Sequence, residues 1–256
     1  MTAPLRLHGF GSAALLCMTL AAFPLKAQQP AADTDVKSDA PADVVEVSAV
    51  KDPEWRSYRV MLKALDAFDK NHAMAPDAKP DFIVAIKRAG IKMSDVKLKI
   101  LGEETALQIA IAEDGTFILP REQKAVDEDA MMVVNQKKND LRWHPYIRSP
   151  GVPAGMRRLG DVRLECEMLW AVEQDGMPFI SRNTFRLLGG PCHSSKIQYF
   201  SAAAKPIVSA QLNEGGESLK LLVGRNRVSF APPLYDKKWS DDALISFQYA
   251  EETPPN

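Results

Sequence analysis

Residues Val96–Pro120 read VKLKILGEETALQIAIAEDGTFILP. Apolar and polar side chains alternate through Val96, Leu98 and Ile100, again through Leu107, Ile109 and Ile111, and again through Phe117 and Leu119. A period of two puts one set on a buried face and Lys97 and Lys99 on a wet one. The spacing predicts three short strands, with Asp114-Gly115 as a tight hairpin turn between the last two. Pro120 has no N–H to give a ladder and closes the run.

The pattern returns about 112 residues later, from Val208 to Pro232. Val96, Leu98 and Ile100 align with Val208, Ala210 and Leu212, and Leu107, Ile109 and Ile111 with Leu219, Leu221 and Val223. The turn aligns with Arg225-Asn226, Phe117 and Leu119 with Val228 and Phe230, and Glu128–Met132 with Asp241–Ile245. A helix-rich segment precedes each copy. The order of features predicts an internal duplication. The fold class expected is α+β, with two β-rich, sandwich-like antiparallel modules, each preceded by helical segments.

Working outward, Phe82–Ile86 is a further apolar strand. Before it, Asp52-Pro53-Glu54 reads as a helix start: Asp52 caps free N–H groups, Pro53 suits the first position, and Glu54 favours the positive end of the dipole. Trp55, Tyr58, Leu62, Leu65 and Phe68, with Met61 beside them, recur at helical spacing while Arg56, Arg59, Lys63 and Lys70 face elsewhere. This predicts about five turns laid on the protein's own sheet, because strands to receive them follow at once. Left exposed in the monomer, the Trp55–Phe68 face would instead mark a partner-docking subunit.

Downstream, Ala130–Asn135 and Leu141–Ile147 read as another hairpin with Gln136–Asp140 as its loop. Ser149–Gly155, rich in Pro and Gly, is a boundary. Asp161–Gln174 fits either period. Its three glutamates and the lack of a turn residue before Asp175-Gly176 favour a helix. A second helix is expected over Pro178–Leu188, stopped by Gly189-Gly190-Pro191.

Arg6 and His8 precede the apolar run Ala13–Phe23, and Leu25-Lys26-Ala27 follows. This is the order of a secretory signal peptide, with cleavage expected after Ala27. The run is short of the roughly 20 residues that span a bilayer, and Cys17 follows Leu16, a poor context for lipid attachment. The expected organisation is then a signal peptide at 1–27, a flexible linker at 28–51 in which Val44–Val47 can add an edge strand, a helix and first β module at 52–148, a boundary loop and helical segment at 149–204, the second β module at 205–251 and a tail at 252–256. A periplasmic or secreted protein with no transmembrane segment in the mature chain is expected.

The chain has 32 basic and 33 acidic side chains. Loss of Arg6 and Lys26 leaves the remainder acidic by three, which gives no general footing for nucleic acid or for an anionic membrane surface. Cys166 and Cys192 are the cysteines left after processing. In an oxidising compartment they are expected to pair, closing a loop that contributes roughly 3 kcal/mol. The competing readings are two buried thiols, or a reactive cysteine beside His193.

No Gly-x-Ser-x-Gly elbow or phosphate loop is present. His72, His144 and His193 fall in no metal-ligand spacing. Asp127-Glu128-Asp129 lacks the alternation and glycine of a calcium loop. No metal or cofactor is expected. The densest polar–aromatic cluster is Trp143, His144 and Tyr146, with Arg148 and then Arg157-Arg158. Aromatics beside cations suit a glycan or peptidoglycan fragment. The competing reading is an edge strand with Pro145 blocking further pairing.

The strand, Asp-Gly, strand, proline order of Leu107–Pro120 resembles the small β-sandwich domains of the carboxypeptidase-regulatory type. Asp52–Tyr58, Leu159–Cys166 and Trp239–Ile245 are similar to an uncharacterised exported protein family of proteobacteria, a resemblance that implies export but no activity or site. The function expected is non-catalytic, in binding or envelope support, with an envelope protein or glycan as partner. The alternatives are an envelope hydrolase without a recognisable motif and the docking subunit.

Overall fold

The computed structural model describes residues 52–250. The expected signal peptide, linker, Val44–Val47 strand and tail lie outside the described residues. The elements in chain order are β1 (Pro53–Ser57), α1 (Tyr58–Asn71), β2 (Asp81–Ile86), β3 (Leu98–Leu101), β4 (Ala106–Ile109), β5 (Thr116–Ile118), α2 (Gln123–Asp127), β6 (Met131–Lys137), β7 (Leu141–Pro145), β8 (Met156–Arg158), α3 (Leu159–Glu173), α4 (Phe179–Leu187), β9 (Ser201–Ala202), β10 (Ile207–Glu214), β11 (Glu217–Val223), β12 (Ser229–Ala231) and β13 (Leu244–Tyr249). The strands form antiparallel sheets of order β1-β6-β3-β4, β5-β2-β7 and β8-β13-β10-β11-β12-β9. The fold is α+β.

The two halves share one pairing scheme. Leu98 faces Ile109 and Ile100 faces Leu107, as Ala210 faces Leu221 and Leu212 faces Leu219. On the other side Leu98 faces Val134 and Ile100 faces Met132, as Ala210 faces Phe247 and Leu212 faces Ile245. β1 borders β6 and runs straight into α1, while β8 borders β13 and runs straight into α3. The first helical amide donates to the same place in each half: Tyr58 N to Ala130 O at 3.0 Å and Leu159 N to Ala243 O at 2.8 Å. β2 pairs with β5 as β9 pairs with β12. Register slips flip a strand's faces, so agreement at the rungs the two halves share is a mark of duplication.

The halves differ in one joint. β11 is paired with β12, so the second half is one sheet. β4 and β5 belong to different sheets, so the first half is split, and β7 extends its smaller part. The Asp114-Gly115 turn does form. Gly115 N donates to Ala112 O at 2.9 Å, and Asp114 Oδ1 accepts from Thr116 N and Oγ1 at 2.9 and 2.6 Å. It joins two sheets rather than closing a hairpin. Val84 N donates to Gly115 O, and Phe117 stacks on Phe82 at 5.5 Å, so β5 pairs with β2. The hairpin that closes is β3–β4. Similarly β6 joins β1 and β3 while β7 joins β2, so the expected hairpin at 130–147 is a crossover between sheets. Phe117 and Phe230 hold equivalent rungs opposite β2 and β9, which corrects the alignment of Phe117 with Val228.

The first helix starts later than expected. Asp52 has φ +57, and Pro53–Ser57 is a strand along β6, leaving α1 with 14 residues. A free sheet edge outweighed the local start chemistry, and a proline costs little on an edge strand. Trp55 is 55% exposed, while Tyr58, Met61, Ala64, Leu65 and Phe68 are buried in the core. The chain itself covers that helix face.

α3 explains its own ambiguous periodicity. Leu164, Met168 and Val172 join the first core with Phe82, Ile100 and Met132, whereas Leu159, Val162 and Cys166 join the second with Leu212, Phe230 and Ile245. A helix packed on two sides is apolar most of the way round. α4 ends at Gly189 and Gly190, both at positive φ, whose N–H groups take the carbonyls of Arg186 and Phe185. Cys166 and Cys192 form a disulfide with Cα atoms 5.8 Å apart, tying the segment after α4 to α3.

Candidate functional site

A cavity of about 450 Å³ opens where the halves meet. Ile83 and Ala85 of β2 line it from one half, and Ser201 and Ala202 of the equivalent strand β9 from the other. β7 and the residues after it contribute His144, Tyr146 and Arg148; β8 contributes Arg157; α3 contributes Glu165 and Leu169; Tyr199 and Phe200 close the side.

Of the cluster singled out from sequence, His144, Tyr146, Arg148 and the later Arg157 are brought together here. Trp143 is not. Strand alternation turns it away from His144 into the first core, where it is 3% exposed. The Tyr146 ring is no open platform either, because the Arg148 guanidinium lies 3.7 Å over it. β7 is a sheet edge, as the Pro145 reading anticipated.

Glu165 organises the charges. Its Oε1 accepts from Ile147 N and Arg148 Nη1, both at 2.8 Å, and lies 2.9 Å from Arg157 Nη2. Burial alone would push this carboxyl up, but the Arg157 and Arg148 guanidiniums and the Ile147 amide overcome it and hold it below the usual range. Arg148 is itself shifted down, first by burial and then by the charge of Arg157. Burial also pushes His144 down, and its Nδ1 sits 2.9 Å from the Pro145 carbonyl. A carbonyl only accepts, so the neutral ring donates from Nδ1 and leaves Nε2 as an acceptor. Burial raises the Tyr199 phenol.

Cations outnumber carboxylates around the cavity: Lys87, Arg142, Arg148 and Arg157 against Asp114 and Glu165. Arg157 is 6% exposed, its Nη2 is paired with Glu165, and its Nε has no hydrogen-bond partner among the described residues. The contrast is Arg163, equally buried on α3. It donates Nε to Leu234 O, Nη1 to Asp241 and Nη2 to Asp236 O and Trp239 O, fixing the loop before β13. Arg163 has partners for Nε and both Nη atoms; Arg157 lacks one for Nε among the described residues.

Sequence reasoning missed Glu165 and Tyr199 as site residues, and named Arg157 only as a basic neighbour of the cluster. The duplication carried the signal. Tyr58 and Leu159 are equivalent, so buried Ala64 in one copy answers to Glu165 in the other. Likewise Arg56 and Arg157 hold equivalent rungs, facing Met132 and Ile245, but Arg56 reaches outward to Glu173 at 2.8 Å.

The remaining candidates have structural work. His193 Nε2 lies 2.6 Å from Glu167 Oε1, and its neighbour Cys192 is in the disulfide. Glu128 accepts from Glu104 N and Thr105 N, closing the β3–β4 turn, and Asp129 pairs with Arg59 at 2.6 Å. Among the described residues no cluster of three or more His, Cys, Asp or Glu side chains is placed to hold a metal ion, and no helix is long and apolar enough to cross a membrane.

The fold and cavity together define an α+β protein of two halves with a common pairing scheme and a cationic, aromatic-walled cavity where they meet. No family model, curated protein or solved structure matches the chain.

Proposed function

We propose that this is a non-catalytic, exported binding protein whose seam cavity takes a small ligand with one anionic group on an apolar or ring-shaped body. The observation that carries the reading is Arg157, a buried guanidinium in the cavity lining whose Nε has no hydrogen-bond partner among the described residues. A buried donor without an acceptor is costly, and a carboxylate or phosphate that reaches the Arg157 Nε supplies one. Leu169, Phe200 and Ala202 provide apolar wall for the body of the ligand. An acidic sugar of the cell wall fits this chemistry better than a neutral glycan, since neither Trp143 nor the covered face of Tyr146 offers a stacking platform.

Binding is favoured over hydrolysis by the way the polar groups are committed. Ser201 and His144 line the same cavity but share no hydrogen bond among the described residues. Glu165, which would orient the imidazole, is held by Ile147 N, Arg148 and Arg157. Export is supported by the basic–apolar–small order of the first 27 residues and by the disulfide.

Ligand-observed NMR with matched pairs tests the reading: phenylacetate against phenylacetamide, and N-acetylmuramic acid against N-acetylglucosamine. The acid of at least one pair should bind saturably and its neutral partner should not. Equal binding within both pairs, or no binding of either acid, contradicts the proposal.

A further inference from the structure

α4 (Phe179–Leu187) buries none of its residues. Phe179, Ile180 and Leu187 are 70, 79 and 88% exposed. On the inner side Phe185 stacks on Trp170 at 5.8 Å, which fixes the face that points out. The Cys166–Cys192 disulfide and the glycine stop hold the base of the segment, so the apolar face is presented on a braced helix.

Charge identifies the occupant. From Gly176 to Asn213 the chain has no Asp or Glu, although the protein as a whole is slightly acidic. Arg182 and Arg186 lie one turn apart on the flank of the apolar face. Arg186 is exposed and held by the neutral Gln174 at 2.6 Å, while Arg182 is half-buried and its buried Nε has no hydrogen-bond partner among the described residues. An acid-free helix with aromatic and aliphatic side chains on an exposed face and arginines beside it has the make-up of a helix that lies in a bilayer interface. We propose that α4 docks the protein on an anionic phospholipid surface, with Phe179, Ile180 and Leu187 entering the headgroup boundary and Arg182 and Arg186 meeting lipid phosphates. The overall charge argued against such a surface, but charges beyond about 8–10 Å are screened, so the local patch governs contact.

Flotation of the oxidised protein with vesicles of equimolar phosphatidylglycerol and phosphatidylcholine tests this. The protein should float with these vesicles, about tenfold less with phosphatidylcholine alone, and less as salt is raised. Phe179→Ser with Ile180→Ser should reduce binding about tenfold with an unchanged melting temperature, because both side chains are solvent-facing. Arg186→Gln should weaken the salt dependence. Wild-type protein that stays unbound, or a double variant that binds as well as wild type, overturns the proposal. So does a dimer in sedimentation velocity that the double variant dissolves while neither protein floats, because the face then serves a second copy of the chain.

Discussion

Arg157 Nη2 lies 2.9 Å from Glu165 Oε1, with both side chains buried between the two halves of the molecule. Glu165 has other partners in Arg148 and Ile147 N, so removing Arg157 does not leave the carboxylate bare. Arg157→Met should therefore cost only about 1–3 kcal/mol of stability. Its affinity for the acidic probe should fall at least tenfold, the loss of about one charge-assisted contact. Urea unfolding and equilibrium titration of the same variant check the two halves of this statement. Arg142→Ala, at an exposed position on the cavity rim, should weaken binding less and leave stability unchanged.

Arg163 should behave in the opposite way. Its guanidinium holds three carbonyls and Asp241. Arg163→Met should cost about 3–5 kcal/mol in urea unfolding, since buried acceptors are left without donors. The folded fraction should keep wild-type affinity.

Acid should loosen the seam in two stages. His144 titrates below its ordinary 6.5 in the folded protein, so its contribution is complete above 6.5 and is lost as pH falls toward the folded value. Glu165 is held below its ordinary 4.5, so its contribution is complete above 4.5 and is lost as pH falls through the lower folded value. Stability measured by urea across this range should decline from pH 6.5 downward. His144→Gln should remove the upper stage and leave the lower one.

Gly115 has φ +87, and a Cβ there would meet the Val84 carbonyl oxygen at 2.5 Å. Gly90 has a similar φ of +88 with open space around it. Gly90→Ala should cost about 1–2 kcal/mol, the price of the left-handed backbone alone. Gly115→Ala adds a backbone clash that pries β5 from β2, and should cost about 3 kcal/mol or more. Thermal unfolding of the pair separates the two effects.

Much of the architecture was legible because it is periodic. The alternation at Leu98–Ile111 and at Ala210–Val223 located these strands and their repeated order, although the hairpin expected at Asp114-Gly115 is not the one that closes. Partner choice was not legible. Asp114-Gly115 specifies a turn, but whether β5 returns to β4 depends on Val84 and Phe82, some thirty residues away. Pro53 and Glu54 have the local chemistry of a helix start, and only the free edge of β6 makes them a strand. The site was half legible for the same reason. His144, Tyr146 and Arg148 announced themselves as a cluster, whereas Glu165 looked like one helical glutamate among three. Its meaning came from burial between the halves, where the other copy has Ala64.

The most direct test is the ¹⁵N–¹H resonance of Arg157 Nε, assigned by its loss in Arg157→Met, followed during titration with phenylacetate. The account predicts a saturable downfield shift as Nε gains an acceptor, with the same midpoint as the ligand signals and no shift with phenylacetamide. Saturable phenylacetate binding that leaves this resonance unmoved, or an equal response to the amide, would contradict it.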